Sequence, residues 1–184
     1  MATECPAADG SSPQTRKFDA EPPMCIDPAK SYLATMDTSM GTLSIALYPD
    51  KAPKTVNNFV VLARYHYYDG LIFHRVINGF VCQGGCPEGS GRGGPGYRFA
   101  DELPSAGEYE IGSLAMANAG PDTNGSQFFL ISGPNGAGLP PAYALFGKVI
   151  DGLEIVAQMQ AVPTGAGDRP KTDLVINSVT ITES

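Results

Sequence analysis

A chain of 184 residues suits one domain, large enough to bury a core without help from metals or disulfides. A net charge of −7 and a pI near 4.7 exclude a nucleic-acid phosphate track and an anionic membrane surface as partners. The 22 glycines and 16 prolines point to many turns and short strands, and no apolar run approaches the roughly 18 residues of a membrane-spanning helix.

Residues 1–31 are poor in apolar side chains and carry Pro6, Pro13, Pro22, Pro23 and Pro28. They read as an extended arm, lying on the domain or disordered, with Phe18, Met24 and Ile26 as its anchors. The domain proper then spans 32–184. Met1 to Pro28 shows neither a basic n-region nor an apolar h-region, so a cytoplasmic location is expected. Cys5 and Cys25 flank the arm, and two states fit them: a reduced pair in the cytoplasm, or a staple in an oxidising compartment. The second state, with a leader removed, would make the protein extracytoplasmic.

Tyr32 to Asp37 and Thr42 to Tyr48 alternate at period two around Ser39-Met40-Gly41, which predicts a hairpin with Leu43, Ile45 and Leu47 on one face. Pro53 opens a helix whose Val56, Phe59, Val60 and Ala63 form an apolar stripe. His66 falls at its end and is assigned no chemistry. Asp69-Gly70 turns the chain into a second hairpin, Phe73 to Gly85, hinged on Asn78-Gly79. Strand alternation puts Phe73, Arg75 and Ile77 on one face of its first arm. On the return it separates Phe80 and Cys82 from Val81 and Gln83. Arg75 stands out: a permanent cation with five donors in an apolar strand must either pair with a carboxylate or face a cleft.

Gly91 to Gly96 formally matches G-x-G-x-x-G, but Pro95 lies inside the match and no long helix follows, so the context argues against a nucleotide site. The glycines suit a loop whose backbone approaches a ligand or another segment closely. Glu110 to Asn118 and Ser126 to Ile131 are further strands, and Asn124-Gly125-Ser126 matches a glycosylation acceptor that matters only in a secreted protein. A Gly/Pro-rich loop, Gly133 to Pro141, leads to the strand Tyr143 to Val149. Asp151 to Glu154 then reads as a capping box, opening a helix that buries Leu153, Val156, Ala157 and either Met159 or the stem of Gln160, and Asp173 to Ile181 is the last strand.

About eight strands and two helices without βαβ alternation argue for an antiparallel barrel or sandwich with the helices covering its open ends. Two histidines and no C-x-x-C argue against a metal site. No nucleophile–base pair is supplied. The strands instead present Arg75, Gln83, Asn118 and Gln127 beside Phe80, Val81 and Phe129. Such a set holds an uncharged polar chain with an apolar ring and lacks bond-breaking equipment.

Phe73-His74-Arg75-Val76-Ile77, Gly79 to Gly85, Met116 to Pro121, Asn124 to Phe129 and Phe146-Gly147-Lys148-Val149 occur in one unbroken order. Together they resemble the cyclophilin family of peptidyl-prolyl cis–trans isomerases, in a bacterial-like form with an N-terminal extension. The resemblance implies a mostly β fold, a closed eight-stranded antiparallel barrel capped by two α-helices. It implies isomerase chemistry at Arg75, Phe80, Gln83 and Asn118. Val81, Phe129 and Leu139 would complete a proline pocket, Gln127 would hold the substrate chain, and Gly91, Ala117 and Ala119 would line a neighbouring groove with Tyr143 close by. It implies no cofactor and no metal; the partners would be proline-containing peptides and unfolded or partly folded proteins, met by a monomer. A proline-peptide binding module without turnover is the alternative. Departures from the family pattern are Asn78, a turn variant, Val81, which makes the pocket shallower, and Cys86, read as an inert loop cysteine rather than a redox control. The absence of Trp, the small residues Gly136-Ala137-Gly138-Leu139 and Tyr143 lead to an expectation of weak cyclosporin binding.

Overall fold

Period-two alternation decides the first hairpin. β1 (Tyr32–Thr38) and β2 (Gly41–Leu47) pair antiparallel, and Ala34, Met36, Leu43 and Ile45 point into the core from the same face. The structure, a computed structural model, describes residues 1–184. α1 spans Pro53–Arg64 and lacks a side-chain cap of its own. The Glu102 carboxylate supplies one from outside, accepting hydrogen bonds from Lys54 N (3.1 Å), Thr55 N (2.7 Å) and the Thr55 hydroxyl (2.8 Å). A carboxylate against the orphan N–H groups of a helix start is favoured by both hydrogen bonding and the helix dipole.

β3 (Arg75–Ile77), β4 (Val81–Gly84), β5 (Ser113–Met116), β6 (Phe128–Ile131), β7 (Leu145–Asp151) and β8 (Ile176–Glu183) complete one eight-stranded antiparallel sheet in the order β3-β4-β6-β5-β7-β2-β1-β8. The expected closed barrel is instead an open half-barrel, because its edges β3 and β8 form no ladder with each other. The chain just before β3 leaves extended geometry, and only an isolated bridge between Ile72 and Val175 spans the gap. Three backbone bonds secure it: Gly70 N to Ile176 O (2.7 Å), Phe73 N to Leu174 O (2.9 Å) and Ile176 N to Leu71 O (2.7 Å).

The sheet has apolar side chains on both faces where it carries the site. Cys82, Leu114, Met116, Phe128, Leu130 and Phe146 belong to the main core with α1. Their alternate neighbours Val81, Ala115, Phe129, Ile131 and Leu145 form a smaller cluster with Tyr109 on the opposite face. That second cluster is the floor of the site described below.

Three helices occur where two were expected. The extra one, α2 (Pro134–Ala137), is a single turn inside the Gly/Pro-rich loop, started by Pro134 at a position where its missing N–H costs nothing. α3 (Leu153–Gln160) buries Val156 and Met159, but Leu153 and Ala157 are exposed and the capping box does not form. Asp151 ends β7, and the cap position is Gly152 at φ 106°, where a Cβ would stand 2.9 Å from both the Thr42 carbonyl and Leu43. β5 and β6 are shorter than expected, starting only at Ser113 and Phe128, whereas β7 (Leu145–Asp151) and β8 (Ile176–Glu183) are shifted two or three residues toward the C-terminus.

Residues 1–31 contain no helix or strand and run over the outer side of α1. Ile26 is buried and Phe18 packs against the core, whereas the third expected anchor, Met24, is half exposed. Cys5 and Cys25 form a disulfide with Cα atoms 5.5 Å apart. Asn57, on the side of α1 away from the sheet, accepts from Cys25 N (2.7 Å) and Ile26 N (3.2 Å) and donates to Pro23 O (2.9 Å). This covering leaves every residue of α1 from Thr55 to Arg64 buried. Asn124 is fully buried and donates to Asp101, so a glycan on it would not fit this fold.

Candidate active site

Two cavities meet on the face of the sheet floored by the smaller apolar cluster. The smaller, about 130 Å³, is lined by Arg75, Phe80, Val81, Gln83, Ala117, Asn118, Phe129, Leu139 and Tyr143. That is well under the roughly 300–1,000 Å³ of sites for drug-sized molecules, and suits one compact side chain. The larger, about 510 Å³, is a mainly polar groove running past Gly91 to Arg98 and on to Ala119, Thr123 and Gln127. Gln83, Ala117 and Asn118 line both.

Arg75 resolves the alternative posed by its sequence. No carboxylate comes within 4.0 Å of it, and it faces the small cavity. β3 and β4 set Arg75 opposite Gln83, and Arg75 Nη1 donates to Gln83 Oε1 at 3.4 Å. That contact fixes the amide of Gln83, whose Nε2 donates to Gln127 Oε1 at 3.2 Å. Gln127 Nε2 in turn donates to Gly91 O and Gly93 O, both at 3.0 Å. The relay anchors the guanidinium from one side and leaves its other N–H groups free for a guest.

The apolar wall follows from alternation in β4 and β6. Val81 and Phe129 point to the site while Cys82, Phe128 and Leu130 point to the main core. Phe73 and Phe80 depart from the simple strand reading, since both lie outside the paired residues. Phe73 is buried in the main core, and Phe80, in the turn between β3 and β4, swings to the site beside Val81. Phe129 meets Tyr143 edge-on with ring centroids 5.3 Å apart. Asn118 holds its loop with its side chain, donating to Ala142 O (2.9 Å) and accepting from Gly120 N (3.2 Å). Leu139 follows α2, which places it over the cavity.

Two supports were not found by sequence reasoning. The Tyr109 hydroxyl donates to Tyr143 O (2.6 Å) and accepts from Tyr143 N (3.1 Å), pinning the backbone of a wall residue from beneath. Ser126 is held by the Tyr67 hydroxyl (2.9 Å) and donates to Gly85 O (2.8 Å), bracing the loop before Gln127. Long separation in sequence hid both. Groove residues Arg92 and Arg98 were likewise passed over, although the glycines around them had signalled a close approach.

Titrating groups near the site have clear physical causes. Burial, with Arg169 and Arg75 nearby, pushes the His74 imidazole below its ordinary value, so it is neutral at neutral pH. Burial raises the Cys82 thiol to about 12. At Cys86 burial works in the same direction, but the N–H groups of Gly93, Glu88, Gly91 and Ser90 outweigh it and its pKa falls below the usual thiol value. Neither histidine lies with an acid or thiol in a nucleophilic arrangement; His66 bonds Asp69 and the Gly10 carbonyl, far from the cavities. No group of three or more His, Cys, Asp and Glu side chains is placed to hold a metal ion.

A family profile described as cyclophilin type peptidyl-prolyl cis-trans isomerase/CLD matches residues 33–181. A peptidyl-prolyl cis-trans isomerase-like 1 of Rhizopus delemar is 51% identical over 138 residues, covering 73% of this chain and 83% of that protein. Peptidyl-prolyl cis-trans isomerase B of Streptomyces anulatus is 46% identical over 172 residues, covering 83% of this chain and 98% of its own length. The crystal structure of a Cryptosporidium parvum cyclophilin-type isomerase superposes with a TM-score of 0.77 at 34% identity, over 84% of this chain and 99% of that one. A second structure of that protein, in the presence of the dipeptide Ala-Pro, gives the same TM-score at 35% identity.

Proposed function

The chain belongs to the cyclophilin-type peptidyl-prolyl cis–trans isomerase family and is a peptidyl-prolyl isomerase, and from that premise we propose that Arg75 lowers the barrier by hydrogen bonding to the prolyl nitrogen. Rotation about an X–Pro bond meets a barrier of about 18–20 kcal/mol, because the nitrogen lone pair is delocalised into the carbonyl. No covalent bond breaks. As the amide twists, the lone pair localises on nitrogen and becomes an acceptor that the planar ground state does not offer. A donor aimed at that atom therefore stabilises the twisted state and not the bound substrate. A charge-assisted hydrogen bond is worth about 1.5–3 kcal/mol, or about 10- to 150-fold in rate at 1.36 kcal/mol per decade.

The observation that carries this reading is a guanidinium with no carboxylate partner, lining a largely apolar cavity sized for one small ring. Phe80, Val81, Phe129, Leu139 and Tyr143 would grip the proline ring, and Gln83 would keep Arg75 aimed. The backbone of Asn118 would hold the substrate chain while the preceding carbonyl swings. Residues flanking the proline would lie in the polar groove against Gly91, Ala119 and Gln127. Tyr143 and the small residues of α2 leave the rim without a Trp, which supports weak cyclosporin binding. A titration giving nanomolar affinity would overturn that point.

We further propose clients that are unfolded or partly folded proteins, met by the monomer. The Cys5–Cys25 disulfide favours an oxidising compartment over the cytoplasm as the place of work. The pocket assignment is tested by cis–trans exchange in an Ala-Pro-containing peptide followed by NMR. Catalytic amounts of protein are expected to bring exchange far below the uncatalysed tens of seconds, and Phe129→Ala to weaken peptide binding. Binding without acceleration would make the site a peptide-binding module.

A further inference from the structure

Phe18 lies outside the residues matched by the family profile, yet it touches the wall of the polar groove. Its N–H donates to Pro95 O at 2.8 Å. Its carbonyl sits so close over Gly96 that a Cβ there would stand 2.3 Å away, and Gly96 also takes φ 108°. Its ring stands edge-on to Tyr97 at 6.3 Å and tilted against Tyr65 at 5.3 Å. Pro95, Gly96 and Tyr97 are three consecutive lining residues of the groove. On their other side the Tyr97 hydroxyl bonds Asn58 of α1, so the wall is clamped between α1 and the N-terminal segment.

The segment is itself tied down at several points. Asn57 grips Pro23 to Ile26, and Arg16 donates to Tyr67 O (3.0 Å) and also to Asp69 O. Thr15 N bonds Tyr65 O at 3.0 Å. The Cys5–Cys25 disulfide closes the loop that carries Phe18. By contrast, none of the residues lining the proline cavity hydrogen-bonds to residues 1–31.

We propose that the N-terminal segment is a positioning element for the groove: Phe18 sets the backbone of residues 95–97, and the Cys5–Cys25 bond holds Phe18 in place. The proposal rests on the reading that the groove binds the residues flanking the proline. Gly93-Gly94-Pro95-Gly96 has three glycines in four residues, so without the brace it samples many conformations. A peptide would then have to order the wall as it binds, and would lose affinity accordingly. The proline cavity, whose lining makes no hydrogen bond to the segment, would work as before.

The disulfide makes the brace reducible. A dithiol reductant attacks one sulfur as a thiolate and forms a mixed disulfide with it. Its second thiol then displaces that cysteine, leaving Cys5 and Cys25 as two thiols and the reductant as a cyclic disulfide, with two electrons passed to the protein. Cys82 and Cys86 are already thiols and are not changed by this step.

The test compares two substrates on the full chain: a capped Ala-Pro unit, and a longer peptide with four residues on either side of the same unit. Phe18→Ala, Phe18→Leu and dithiothreitol-reduced wild type are measured beside the oxidised protein, with circular dichroism to show that each is folded. For the longer peptide KM should rise about two- to tenfold at unchanged kcat, the cost of ordering one loop at binding. The capped unit should be unaffected, and Phe18→Leu should restore most of the loss. A length-dependent affinity that survives both Phe18→Ala and reduction would overturn the brace alone. Equal affinity of wild type for the two substrates would overturn the groove reading and the brace with it.

Discussion

Tyr109→Phe removes one oxygen atom and tests how far the proline pocket depends on a support that touches no substrate. The Tyr109 ring is buried, 4% exposed, and its hydroxyl serves both polar groups of the Tyr143 backbone, at 2.6 and 3.1 Å. A net hydrogen bond contributes about 0.5–1.5 kcal/mol, so losing two costs about 1–3 kcal/mol. For a chain of this length each kcal/mol lowers Tm by about 2–4 °C, which places the expected drop at about 4–8 °C around the middle of that range. Tyr143 is also a cavity wall, packed edge-on against Phe129. Loosening its backbone should weaken proline-peptide binding while leaving the Arg75–Gln83 contact alone. The assay is a thermal melt paired with a peptide titration on the same preparation. A Tm within 1 °C of wild type together with unchanged Kd would refute the argument that Tyr109 holds the wall.

Gln83→Ala cuts the relay that aims Arg75 and leaves the Gln127 side chain bonded only to the loop carbonyls. The account expects kcat to fall about tenfold, near the value of one hydrogen bond to a charged group, with little change in peptide affinity; a loss confined to KM would contradict it. A pH effect is expected at His66, whose pKa the Gly10 carbonyl and then the Asp69 carboxylate raise above its ordinary 6.5. Its contribution is fully present below pH 6.5 and disappears as pH rises through the higher folded-state value. The Tm difference between wild type and His66→Asn, a replacement that tolerates the φ of 56°, should therefore shrink from pH 5.5 to pH 8.5. A gap that is constant or widens over that interval would show that the ring does not hold the segment as a cation.

Local patterning carried the reading furthest where chain neighbours are also spatial neighbours. The first hairpin and the helix opened by Pro53 follow from period and turn chemistry over a few residues, whereas the second hairpin turns through Asn78, Gly79 and Phe80, so Arg75 faces Gln83 and not the Cys82 that a two-residue Asn78-Gly79 turn would set opposite it. It failed where a residue sits one or two places beyond a paired strand. Phe73 and Phe80 were assigned by extending the alternation past residues 75–77 and 81–84, where the chain no longer obeys it. The capping box failed because Gly152 enters α3 with left-handed backbone, so Asp151 ends a strand instead of capping a helix.

The site itself was only half visible. Arg75, Gln83, Asn118 and Gln127 stood out as polar side chains in apolar strands. Gly91, Ala117 and Ala119 contribute backbone or small surfaces, which leave no mark on a hydrophobic pattern, and Leu139 stands alone in a Gly/Pro-rich loop; all four follow from the family resemblance alone. Tyr109 and Ser126 act through contacts between residues 34 and 41 positions apart in the chain, which no local pattern reports. The N-terminal segment shows the same limit. Its prolines and cysteines are evident in the sequence, but its docking depends on Asn57, a single polar residue outside the apolar stripe of α1.

Cis–trans exchange in an Ala-Pro-containing peptide, followed by NMR with native protein and with Arg75→Ala, tests the central claim most directly. The same samples give rate and affinity. The account predicts a fall of about 10- to 150-fold in exchange rate with peptide affinity nearly unchanged, since the bond from Arg75 forms only as the amide twists. Exchange that stays fast in the variant, or an affinity lost in proportion to the rate, would contradict it.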